Sequence, residues 1–222
     1  GHTDMQPFFA AGRLKPGWLL AVAAMAVVVV ASNKLVQYPV EAQIGALNLA
    51  DLLTWGAVTY PLAFLINDLT NRTFGPQAAR VVVLVGFALA VALSVHFASP
   101  RIAIASGSAF LVAQLLDVGI FNRLRSAAWW RAPVLSSLIG SVVDTVLFFS
   151  LAFAAGFSML GANDPFAIEA APLVGLVTSI EAPRWVSWAL GDLAVKVLIA
   201  LAALAPYRIA LALFGEAEPA RG

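Results

Sequence analysis

The stretch Ala132–Phe157, APVLSSLIGSVVDTVLFFSLAFAAGF, runs for 26 residues with one charge, Asp144. About 20 apolar residues suffice to cross the hydrocarbon core of a bilayer. Length and composition therefore predict a membrane-spanning helix. The single carboxylate is the informative residue in it. An ionised side chain at that depth costs about 3 kcal/mol or more, and such groups face a protein interior or a wet cavity. Ser136, Gly140 and Asp144 recur every four residues and so share one face, flanked by Ser137, Ser141 and Thr145.

Five further stretches have the same character: Trp18–Leu35, Leu52–Leu69, Ala78–Phe97, Ile102–Phe121 and Trp185–Leu204. Each is bounded by residues that stop a helix or stay in water. Asn71-Arg72 and Gly75-Pro76 end the second span; Ser99-Pro100-Arg101 separates the third from the fourth; Arg123, Arg125 and Arg131 bracket the next turn. Ser158–Arg184 is mixed in composition and reads as an outer loop with a short interfacial helix. The chain is 61% hydrophobic and 11% charged, with mean hydropathy +0.90, a composition far from disorder or an ordinary soluble globule. The expected fold is an all-α integral membrane protein, a compact bundle of six transmembrane helices in a single domain over residues 5–222. Residues 1–4, Gly-His-Thr-Asp, read as an expression scar.

The cationic residues give the orientation. With both termini cytoplasmic, nine lysines and arginines fall inside (Arg13, Lys15, Arg72, Arg80, Arg123, Arg125, Arg131, Arg208, Arg221). Three fall outside: Lys34, Arg101 and Arg184.

Polar residues recur on other spans. The fourth carries Ala105, Ala109, Ala113 and Asp117 on one stripe, with Gln114 beside it; the sixth carries Trp188, Asp192 and Lys196. The second carries Tyr60, Phe64, Asp68 and Arg72, with Asn67 and Asn71 alongside and Trp55 above. Pro61 cannot donate to the carbonyl of Ala57 and should kink that span. Val81–Val95 has no polar stripe, so the third span should face lipid over much of its surface. At about 1.5 Å per residue, two groups emerge. Tyr60, Gln114, Asp144, Asp192 and Lys196 should line one central pocket. Asp68, Arg72, Asp117 and Arg123 form an inner cluster, either a gate or a structural charge network; Asp68 and Arg72 also have the spacing of an intrahelical ion pair.

Three segments resemble the queuosine precursor transporter family of bacterial inner-membrane proteins, the vitamin-uptake-transporter-like, YhhQ-type group. They are TWGAVTYPLAFLINDLTNRTFG at Thr54–Gly75, SGSAFLVAQLLDVGIFNRLR at Ser106–Arg125, and WWRAPVLSSLIGSVVDTVLFFSLAF at Trp129–Phe153; NKLVQYPV at Asn33–Val40 agrees. The resemblance implies six helices in the bacterial inner membrane and import of 7-cyano-7-deazaguanine and 7-aminomethyl-7-deazaguanine, precursors of a tRNA wobble base. For such a ligand, Asp144 or Asp192 would accept from the guanine edge. Lys196, Gln114 or Asn67 would donate to its carbonyl, with Ser141 adjacent. Trp55, Tyr60 or Trp188 would stack on the ring.

The expected partners are this small molecule, the bilayer and, as an open option, a second copy in a homodimer. A net charge of +1 gives no reason to expect nucleic acid. No cofactor is expected. With no cysteine and only His2 and His96, the chain has few metal ligands or nucleophiles. The sequence lacks the Gly-x-Gly-Asp and Gly-x-Ser-Gly patterns of intramembrane proteases, which leaves catalysis the weaker class. A stronger rival is a membrane subunit that binds substrate and needs an energising partner.

Overall fold

The computed structural model describes residues 16–35, 38, 40–45, 47–49, 55–59, 61–97, 99–174 and 176–214. Tyr60 and residues 1–4 lie outside them, so the expectations placed on them are not addressed.

The first expected span is helix α1, Pro16–Leu35. In the second, α2 (Trp55–Thr59) and α3 (Leu62–Phe74) are described, with Pro61 at the N-cap of α3, where it has no N–H to offer the carbonyl of Ala57. Thr59 at the end of α2 is tied to α1, its Oγ1 lying 2.9 Å from Ser32 Oγ. Next come α4 (Pro76–Phe97), α5 (Pro100–Leu124) and α6 (Arg131–Phe153). Ser99 caps α5, accepting from Ile102 N, with Pro100 at the first helical position where its missing N–H costs nothing.

The last expected span extends further than its sequence boundary. Helix α8 (Arg184–Ala202) is followed, after Ala203, by α9 (Leu204–Phe214). Pro206 explains the interruption, because it has no N–H for the carbonyl of Ala202. Among the described residues, four stretches are long and apolar enough to cross a membrane: Pro76–Leu93, Pro100–Leu124, Arg131–Phe153 and Arg184–Leu213. Gly17–Ser32 is a shorter apolar run.

Two short hairpins accompany the helices: β1 (Gln43–Ile44) pairs antiparallel with β2 (Leu47–Asn48), and β3 (Ala170–Leu173) with β4 (Val177–Pro183). The expected loop is therefore largely a hairpin, preceded by a 3₁₀ turn at Ala155–Leu160 and α7 (Pro165–Ile168). Its tip is fixed to α8 by Val174 N donating to Ser187 Oγ at 2.9 Å.

The third span packs through one face. Ala78, Ala79, Val82, Val83 and Ala90 of α4 are buried against Trp18, Met25 and Val29 of α1, Phe110 and Val118 of α5, and Ala63 of α3. Leu84 and Val91 stay exposed on the other face. An all-apolar helix gives no compositional contrast between its two sides. Between lipid-immersed helices, close packing rather than hydrophobicity holds such a seam. Gly86 marks the closest approach, since a Cβ there would meet Met25 Cγ and Phe110 Cζ at 3.0 Å.

Candidate functional site

Helices α5 and α6 run against each other, and their polar stripes face inward together with α3 and α8. Ala105, Ala109, Ala113 and Asp117 are all buried, as are Ser136, Ser137, Ser141 and Asp144. The stripes are as the four-residue spacing indicated. Their partners are only partly as expected.

One group joins α6 to α8. Lys196 Nζ lies 2.6 Å from Asp144 Oδ2 and 2.6 Å from Asp192 Oδ2. It also donates to Thr145 Oγ1 at 3.2 Å, and Thr145 Oγ1 donates to Asp192 Oδ2 at 3.2 Å. The ammonium thus spends its three protons on three partners. Asp144 is 13 residues from the start of α6 and Lys196 is 12 from the start of α8, so both lie about 18–20 Å along their helices. Two carboxylates against one ammonium leave a formal excess of one negative charge. Convergence of Asp144, Asp192 and Lys196 was expected and is present, but as direct contacts rather than around an open pocket.

Gln114 belongs to a different group, which corrects its expected place beside Asp144. Asn67 Nδ2 donates to Gln114 O at 3.1 Å, Gln114 Oε1 at 2.9 Å and Asp117 Oδ2 at 3.1 Å. On the next residue of α3, Asp68 Oδ2 accepts from Ser137 Oγ at 2.9 Å. All four residues are 0–1% exposed. Four of their side-chain atoms find no hydrogen-bond partner among the described residues: Asn67 Oδ1, Asp68 Oδ1, Gln114 Nε2 and Asp117 Oδ1.

A third group closes the arginine-rich end. Arg72 donates through Nε to Tyr207 Oη at 3.1 Å, through Nη1 to Arg125 O at 2.8 Å and through Nη2 to Trp129 O at 3.4 Å. Arg125 donates to Asn71 Oδ1 at 3.2 Å and to Arg72 O at 2.8 Å. Arg123 was expected in the inner cluster, but it is exposed. Helical spacing explains the exchange: two residues along, the side chain points to another face.

The expected stacking residues are differently placed. Trp55 is 47% exposed at the start of α2. Trp188 is half-buried in an aromatic group, with ring centroids 5.4 Å from Phe153 and 6.1 Å from Phe166. Beside the polar groups lies one small hollow of about 20 Å³, reached by Asp68, Ser137, Ser141, Phe64, Pro61 and Tyr207. That is room for about one water. Tyr207 and Arg125 were absent from the expected site. Tyr207 lies beyond the last apolar run, and Arg125 was read only as a turn boundary.

Residues 54–99 and 92–210 match the model of the family described as "Putative vitamin uptake transporter". The chain belongs to this family. Two relatives extend the similarity over most of its length. The "Probable queuosine precursor transporter" of Haemophilus influenzae is 38% identical over 177 residues, 68% of this chain and 73% of the relative. The "Queuosine precursor transporter" of Escherichia coli K12 is 34% identical over 200 residues, covering 81% and 79%. No solved structure matches. The chain is a multi-pass membrane protein of a transporter family and not an enzyme.

Proposed function

We propose that this protein imports the queuosine precursors 7-cyano-7-deazaguanine and 7-aminomethyl-7-deazaguanine across the bacterial inner membrane. The route is alternating access around a mid-membrane polar site in a six-span bundle with both termini cytoplasmic. Two named relatives at 34–38% identity support the substrate class. The observation that carries the mechanism is the Asp144–Lys196–Asp192 group, which bridges two spanning helices at mid-length. Ionisable groups at that depth mark transport pathways far more often than scaffolds.

In this reading the closed state keeps the α6–α8 bridge intact, and passage requires α8–α9 to part from α3 and α6. The small hollow between those helices is where the opening begins. Asp144, Asp192, Lys196 and Ser141 form one wall of the pathway, and Asn67 and Gln114 form the other. The Arg72–Arg125–Tyr207 group is the gate at the arginine-rich end. The excess negative charge also suits the aminomethyl ligand, which is a cation.

The test is uptake of radiolabelled 7-cyano-7-deazaguanine by the purified protein alone in liposomes. Accumulation above empty vesicles is expected. Saturable binding without uptake would replace the proposal with a subunit that needs an energising partner, and neither binding nor uptake would end it.

A further inference from the structure

We propose that the α3–α5 group, and not the lysine-centred one, reads the guanine edge of the substrate, with Asp68 and Asp117 as the accepting residues and Gln114 as the donor. This assignment rests on the transport reading above and adds to it the residues that decide specificity. Its basis is an imbalance between the two groups. At Lys196 each of the three ammonium protons has a partner. Around Asn67, by contrast, one amide nitrogen serves three acceptors with two protons.

Exchanging O and N on Asn67 and Gln114 does not cure the shortage. A flipped Asn67 would turn its oxygen onto the carbonyl of Gln114 and the carboxyl of Asp117, two acceptors. The unmet atoms are therefore a property of the composition of the group: three acceptors (Asn67 Oδ1, Asp68 Oδ1, Asp117 Oδ1) and one donor (Gln114 Nε2). Leaving such atoms unmet in a buried site is costly.

The complementary ligand edge carries at least two N–H donors next to one carbonyl. A guanine-type edge, with its ring N–H, exocyclic amine and carbonyl, has that composition. A bare cation suits the oxygens but not the Gln114 amide, which presents N–H. Access comes from the hollow, which Asp68 lines beside Ser137 and Phe64. At about 20 Å³ it admits water in this closed arrangement, and a heterocycle enters once α8–α9 moves away. Tyr207, which lines the same hollow, accepts from Arg72, and Asp144 on α6 is held by Lys196.

The experiment compares two ligands, 7-cyano-7-deazaguanine and its analogue lacking the exocyclic 2-amine, for binding to and uptake by the reconstituted protein. The wild type is expected to prefer the complete ligand by about tenfold or more, the size of a hydrogen bond to a charged group. In Asp117→Asn that preference should fall to near unity. Asp68→Asn, which keeps the Ser137 contact, carries the same test if Asp117→Asn does not fold. A purely structural role would lower yield and leave the preference intact. A preference retained in folded Asp117→Asn and Asp68→Asn, or lost in Asp144→Asn instead, overturns the assignment. So does a wild type that takes both ligands equally, or uptake that follows sodium with an unaltered preference. Failure of the wild type to bind or move either compound is a different result, and it overturns the transport reading itself.

Discussion

Arg72 and Arg125 each donate to the other's backbone carbonyl, at 2.8 Å in both directions. The reciprocal pair sews the end of α3 to the end of α5. Two like charges tolerate this approach because each guanidinium is turned onto an oxygen rather than onto the other cation. Tyr207 brings α9 into the same knot through Arg72 Nε. Replacing Arg125 with Ala removes bonds to Asn71 Oδ1 and Arg72 O. A loss of about 2–3 kcal/mol is expected, read as a lower melting temperature in detergent. Arg123→Ala, two residues away and exposed, should stay within about 0.5 kcal/mol of wild type. Equal effects from the two would refute the knot.

Lys196 holds two carboxylates that have no comparable reason to adjoin. Lys196→Met strips the cation from between Asp144 and Asp192, and removing one partner of a buried ion group costs about 3–5 kcal/mol. Folded yield should collapse. Adding Asp144→Asn and Asp192→Asn to that variant should restore much of the yield, because no unpaired charge is then left. Uptake should stay absent in the triple variant. Recovery of transport along with folding would show the group to be scaffold only.

Arg101 donates to Leu151 O at 2.9 Å, Ala154 O at 2.6 Å, Gly161 O at 3.2 Å, Ala162 O at 3.4 Å and Asn163 Oδ1 at 2.8 Å. A planar fork reaches that many acceptors, and a lysine ammonium does not. Arg101→Lys should therefore cost about 1.5–3 kcal/mol despite conserving charge. Limited proteolysis should cut the 155–163 segment faster in the variant than in the wild type. Unchanged cleavage would mean that the segment is held by other contacts.

Gly140 lets α3 and α6 meet. A Cβ added there would stand 2.8 Å from Phe64 Cε1 and 3.4 Å from Ala113 O. Phe64 is buried and has little freedom to yield. Gly140→Ala should destabilise by about 1–3 kcal/mol, and it should alter ligand affinity by moving the ring beside the hollow. A melting temperature equal to wild type would contradict the tightness of this contact.

Which residues turn inward was legible along the chain for α3, α5 and α6. A charge or amide in an apolar span identifies its own helix face, and Asp68, Asp117 and Asp144 all sit on buried stripes. The four-residue repeat of alanine before Asp117 gave the same face independently. For α4 nothing comparable existed, so the sequence did not say which of its faces packs inward. The start of α3 at Pro61 was legible because proline acts locally. The continuation into α9 was not, since Leu204–Phe214 is short and adjoins polar sequence.

The sequence by itself determined that the chain lives in a bilayer, where most of its helices start within a few residues, and which faces carry polar groups. Those properties follow from solvation and backbone chemistry acting over one or two turns. Only the tertiary structure decided who pairs with whom. Gln114 joined Asn67 and Asp117 rather than Asp144, Arg125 took the place expected of Arg123, and Lys196 closed on two aspartates from different helices. Pairing depends on the rotation and stagger of helices 47 to 53 residues apart in the chain, and spacing within any one of them carries no record of that.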